Sequence, residues 1–155
     1  MLYPVRLKGD RFSILHNEQD PRIIGLIIDR FEKQQARDFF GPSIFTSEDN
    51  KPGEPDRWDI IWNNHKVWGD FKSKSASAST FTVSEPEYKL AKEITESDPN
   101  YPFEYYLYIQ ITPNEIEYVG MISFDILVKN SLFANSRFEN GGYCFKHLSV
   151  QKYLK

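Results

Sequence analysis

A single cysteine, Cys144, is all the thiol chemistry this chain offers. It closes no internal disulfide and supplies no thiol cluster for zinc, which suits a reducing compartment, so a cytoplasmic protein is expected. Long hydrophobic runs are also missing. The most apolar stretch, IIGLII at 23–28, is hemmed by Asp20, Arg22, Asp29 and Arg30, whereas a membrane-spanning helix needs roughly 20 apolar residues. The first residues, MLYPVRLKGDRF, lack the apolar core of a signal peptide, so neither export nor a membrane partner is expected. No internal repeat is visible, and His16, His65 and His147 are scattered without the spacing of a zinc site. Nor does one sign of charge dominate: 19 Lys and Arg against 22 Asp and Glu give −3, which argues against an indiscriminate coat on nucleic acid or anionic membrane. Any hold on a phosphate chain must come from a local patch.

What the chain does have is aromatic side chains. Twelve Phe, nine Tyr and three Trp make 15% of its 155 residues, a rich supply for a core, and the length suits one domain. Asp20-Pro21 reads as a helix start, with Asp as N-cap and Pro at the first helical position. Ile23, Ile24, Ile27, Ile28 and Phe31 recur at helical spacing, while Arg22, Arg30, Lys33 and Arg37 mark a wetter side, predicting a helix over 20–39 that Gly41-Pro42 stops. A polar loop, 46–57, follows.

WDIIW (58–62) and KVWGDFK (66–72) are two β-type runs joined by Asn63-Asn64-His65, a hairpin pattern. The small polar segment SKSASAST (73–80) reads as a flexible connector, with a phosphate-contacting loop as the alternative. Ser84-Glu85-Pro86-Glu87 is a capping box opening a helix to about Thr95. FEYYLYIQI (103–111) and EIEYVGMI (115–122) form a second strand pair, the first with the tyrosines of a buried central strand, and 124–129 reads as a short helix. A small central sheet with a helix on each face buries these apolar surfaces most simply.

Alternation puts Asp70 and Lys72 on one side of their strand and Phe71 on the other. With the turn at 63–65, Asp59 lies opposite the far end of 66–72, so three ionisable groups converge at one end of a hairpin. A carboxylate among so many apolar residues needs a partner.

Here the sequence resembles the PD-(D/E)XK nuclease superfamily. Asp59 matches the first acidic position and Asp70-Phe71-Lys72 the (D/E)-X-K element, and the element order over about 20–112 is that of the family's core. A literal Pro-Asp pair occurs instead at Pro55-Asp56, which keeps Asp56 as the register alternative to Asp59. The resemblance implies an α/β fold with a restriction-endonuclease-like core, a central mixed β-sheet flanked by helices, occupying about 20–122 of a single domain. It implies that Asp59, Asp70 and the Phe71 carbonyl hold Mg2+ or Mn2+ and that Lys72 is the catalytic lysine. It further implies an accessory acid from the first helix, Glu32, or Asp29 in second place. The expected activity is endonucleolytic hydrolysis of DNA, and two-fold cutting of a duplex points to a homodimer.

Other readings stand beside it. An Asp-X-Lys on a strand is often only a solvated ion pair, and Glu85 and Glu87, which could lie near the metal, are explained more simply by helix capping and the helix dipole. Lys74 shares the alternation of Lys72 and is a candidate phosphate contact. From Lys129 onward five basic residues face one acidic, so that flank carries +4 and the rest −7. A basic flank on an acidic body fits a protein that grips phosphates with one part and metal with another. The competing function is a non-catalytic nucleic-acid-binding or assembly module on the same fold.

Overall fold

The computed structural model describes residues 5–44, 58–62, 65–135 and 142–155, and of 58–62, 65 and 66 the backbone alone. Asp56 and the polar loop 46–57 lie outside the described residues, as do Arg137 and Glu139 of the C-terminal flank. In chain order the elements are β1 (Arg11–Ser13), α1 (Pro21–Phe40), β2 (Trp58–Trp62), β3 (His65–Ser75), β4 (Thr80–Val83), α2 (Glu85–Ser97), β5 (Glu104–Thr112), β6 (Glu115–Ser123), α3 (Phe124–Lys129), β7 (Ala134–Asn135), β8 (Tyr143–Lys146) and α4 (His147–Val150). The result is a mixed α/β fold.

The main sheet has the order β1-β6-β5-β3-β2. Every neighbour is antiparallel except β3 and β5, which run parallel with Asp70 beside Tyr105 and Lys72 beside Leu107. A parallel pair needs a crossover, and here it is the segment holding β4 and α2. β5 is buried on both faces, Tyr105 and Leu107 packing to one side and Tyr106 and Tyr108 to the other. That fits the reading of 103–111 as a central strand.

α1 covers one face. The Asp20 carboxylate accepts the Arg22 backbone N–H at 3.0 Å, and the Gly41 N–H closes the far end on the Arg37 carbonyl. Ile24, Ile28 and Ala36 pack on Phe71, Tyr106 and Tyr108. The helix approaches closely at Gly25, where an added Cβ would lie 3.1 Å from the Ser73 hydroxyl. Lys33, expected on the wetter side, is instead buried, because its ammonium pairs with Asp29 one turn earlier at 2.9 Å.

The other face is covered by α2, by α3 and by a second sheet of order β4-β8-β7 that the sequence reading did not contain. Phe81, Val83 and Phe145 from that sheet join Ala91, Tyr105, Leu107, Ile122, Phe124 and Leu127 in a second core. The reading of 73–80 as a flexible connector is corrected: residues 73–75 complete β3, the chain turns, and Thr80 opens β4.

The basic flank is no loose tail. Phe145, Val150 and Leu154 are buried, and Lys155 exchanges two backbone hydrogen bonds of 3.0 Å with Met121 on β6. Gly120 makes room for this: its φ is +128°, and a Cβ there would stand 2.9 Å from that of Leu154. Among the described residues, no helix is long and apolar enough to cross a membrane.

Candidate functional site

On β3, residues of even number face α2 and the second sheet, and residues of odd number face α1. Phe71 accordingly packs against Tyr106 and Tyr108, with ring centroids 5.7 and 6.1 Å away, while Asp70 and Lys72 emerge on the opposite face. The Lys72 ammonium lies 3.1 Å from Asp70 Oδ2 and also donates to Glu87 Oε2. The site is thus a lysine held between two carboxylates, one from the strand and one from the first turn of α2. Asp70 is 1% exposed, but the Lys72 and Glu87 side chains keep 15% and 19% of their surface, so solvent reaches the cluster from their side.

Glu87 has two tasks. Its Oε1 accepts the Ser84 backbone N–H at 3.2 Å, and the Ser84 hydroxyl accepts the Glu87 N–H at 3.3 Å, which is the capping box foreseen at 84–87. Its second oxygen goes to Lys72. The cap therefore fixes where α2 begins and also aims a carboxylate at β3.

Charge states follow from this geometry. Burial opposes the charge on Lys72, yet Asp70 and Glu87 outweigh it and hold the ammonium's pKa above its ordinary value. Burial likewise works to raise Glu87, but the Lys72 ammonium, by its charge and its hydrogen bond and aided by Ser84, brings it down to about 2. At neutral pH Lys72 is a fixed cation and no proton acceptor. Tyr105, beside Asp70 in the register, is 1% exposed, and burial pushes its phenol pKa up.

Asp59 pairs with Trp68 in the β2–β3 register, and the last described pair is Trp58 with Gly69. Opposite positions share a face, so position 59 falls on the face of 68, 70 and 72; its side chain lies outside the described residues. Glu32 is not brought to this cluster. It is fully buried on the α1 face, where Arg6 donates to Oε1 at 2.9 Å and the Tyr108 hydroxyl to Oε2 at 2.6 Å. The sheet stands between it and Lys72. Asp29, the second choice, pairs with Lys33 on the same helix, and Glu85 pairs at the surface with Lys89 at 3.2 Å. Lys74 keeps the face of Lys72, but its ammonium donates to the Ala78 carbonyl at 2.8 Å.

Among the described residues no group of three or more His, Cys, Asp or Glu gathers to hold a metal ion. The donors present nonetheless suit a hard dication in kind, because Asp70 and Glu87 already direct carboxylate oxygens at one cation. Sequence reasoning weighed a place near the metal for Glu87 and base stacking for Tyr105, and preferred helix capping for the first and core packing for the second. The overlooked signal at Glu87 is that a capping carboxylate spends one oxygen on the helix and has another to give. Against family models, curated proteins and solved structures alike, comparison of the chain gives no match.

Proposed function

We propose that the chain is a metal-dependent endonuclease of the PD-(D/E)XK type, built on a restriction-endonuclease-like core, that hydrolyses phosphodiester bonds in DNA. One observation carries the reading. A charged lysine and two carboxylates meet on one face of a central strand, at residues 70 and 72 of the motif, next to the strand that bears Asp59. An idle surface ion pair is worth little and is held by nothing. This one has a carboxylate 1% exposed and a second carboxylate held in place by a helix cap.

Asp70, Asp59 and Glu87, with the Phe71 carbonyl, are the donors that would hold Mg2+ or Mn2+, and Glu87 takes the accessory place first assigned to Glu32. A bound dication supplies polarisation of the scissile phosphate and an acidified water. The chain's own residues do the rest. Lys72, kept protonated by its two carboxylates, stabilises the negative charge that grows on the phosphate, as a preorganised cation in a partly dry site should. Ser84 orients Glu87, and the sheet orients Asp70. Lys146 and Lys152 on the C-terminal flank are candidate phosphate contacts, and a homodimer would present one such site to each strand.

Purified protein incubated with supercoiled, linear and branched DNA plus Mg2+ or Mn2+ tests this. Wild type should cut, and Asp70→Asn and Lys72→Ala should each lose about a hundred- to a thousandfold, the scale of one charge-stabilising group. Absence of cutting on every substrate, or equal cutting by the variants, overturns the reading. DNA binding without cutting would favour the assembly-module alternative.

A further inference from the structure

The cluster has a fourth polar member that takes no part in its pairing. Tyr105 stands beside Asp70 in the parallel register, is 1% exposed, and its hydroxyl is buried without a hydrogen-bond partner among the described residues. It lies within electrostatic reach of Lys72, Asp70 and Glu87. Its strand neighbours behave differently: Tyr106 and Tyr108, on the α1 face, each donate to a carboxylate at 2.6 Å, to Glu104 and Glu32. A buried hydroxyl with no partner is a cost to the folded state. Phenylalanine would fill the same space without that cost, so the hydroxyl has value only in a state where it is paired.

We propose that Tyr105 is a positioning residue for Lys72, its phenol oxygen accepting the ammonium when a divalent cation takes over Asp70 and Glu87. This rests on the metal-dependent reading of the same site. An ammonium and a dication compete for the same carboxylate oxygens, and a displaced Lys72 left buried without an acceptor would oppose the exchange. Tyr105 is a neighbouring acceptor whose hydroxyl has no other hydrogen-bond partner among the described residues. It lowers the cost of trading the ammonium for metal, and it keeps Lys72 next to the carboxylates for the phosphate.

The test is calorimetric titration of Mn2+ and of Mg2+ into wild type, Tyr105→Phe, Lys72→Met and the double variant, with thermal melts taken without metal. Tyr105→Phe should leave the metal-free melting temperature unchanged or higher, and should weaken Mn2+ binding about tenfold, the scale of one hydrogen bond to a charged group. In the Lys72→Met background the same change should move affinity by less than about twofold, because the competitor is gone. Tyr105→Phe binding Mn2+ as tightly as wild type overturns the proposal, as does an equal loss in both backgrounds. A lower metal-free melting temperature for Tyr105→Phe assigns the hydroxyl a structural role and overturns it too. If wild type binds no divalent cation, this proposal and the metal-dependent reading fall together; cation binding that ignores Tyr105 removes this proposal alone.

Discussion

The two faces of the main sheet each bury a carboxylate against a cation, and they do so in different ways. On the α1 face both oxygens of Glu32 are matched, by Arg6 and by Tyr108, and the Arg6 guanidinium also lies 4.0 Å over the Phe12 ring. Within this trio, Arg6 Nε is buried without a partner among the described residues. On the α2 face one ammonium serves two carboxylates, part of the cluster meets solvent, and a phenol nearby has no hydrogen-bond partner among the described residues. The first arrangement is closed and suits holding a helix on a sheet. The second keeps spare capacity, and spare capacity at a partly open site is what a binding or catalytic centre requires.

The sharpest way to break that contrast is Glu32→Gln. It keeps an acceptor oxygen for Arg6 but leaves that largely buried charge unbalanced, and an uncompensated buried charge costs up to about 3–5 kcal/mol. Denaturant unfolding should show that drop while cutting per folded molecule stays at the wild-type level. Full stability with lost cutting would move Glu32 into the chemistry and erase the distinction between the faces. A smaller effect belongs to Ser84→Ala, which removes the hydroxyl that caps α2 and should cost about 1 kcal/mol in the same measurement. If Glu87 is aimed by its cap, cutting should also fall, though by less than with Lys72→Ala.

Glu87 also contributes a pH dependence. Its folded pKa, about 2, lies below the ordinary carboxylate value. Its share of stability is therefore complete above the unfolded pKa, and it is lost as pH falls from there toward the folded value. Melting temperatures followed from pH 5 downward, at about half-unit steps, should slope less steeply for Glu87→Gln than for wild type. Parallel slopes would mean that the Lys72 pairing adds nothing to the fold. Lys72 works in the opposite sense: its folded pKa is raised, so its contribution is complete at neutral pH and declines only in strong alkali.

Much of this was legible in local pattern. Asp20-Pro21, the isoleucine spacing and Gly41 marked α1 to within a residue at each end, and the Ser84 capping box marked α2. The two strand pairs were read from their β-type runs and turn residues. The second sheet was not, because β4 and β8 are only four residues each and β7 two, too short for a period to declare itself. The serines of 73–75 looked like a connector because serine is a poor strand former. Ser73 belongs in β3 because α1 passes close at Gly25 and because its hydroxyl accepts from Gln110 at 3.2 Å. Glu32 was misassigned for a related reason: helical spacing tells which residues share a side of α1, and it is silent on which face of the sheet that side meets.

The parallel pairing of β3 with β5 carries a consequence for the order of assembly. Asp70 and Lys72 lie before the crossover, Glu87 inside it and Tyr105 after it, so no stretch that stops short of β5 contains the whole cluster. Parallel pairing across such a span is entropically expensive and slow to form. A nascent chain that has made α1 and the β2–β3 hairpin would hold Asp70 and Lys72 without their partner from α2. If the chain binds a cation as proposed, that competence would arrive late in folding, with the docking of β5, and its appearance would time that step in a refolding experiment.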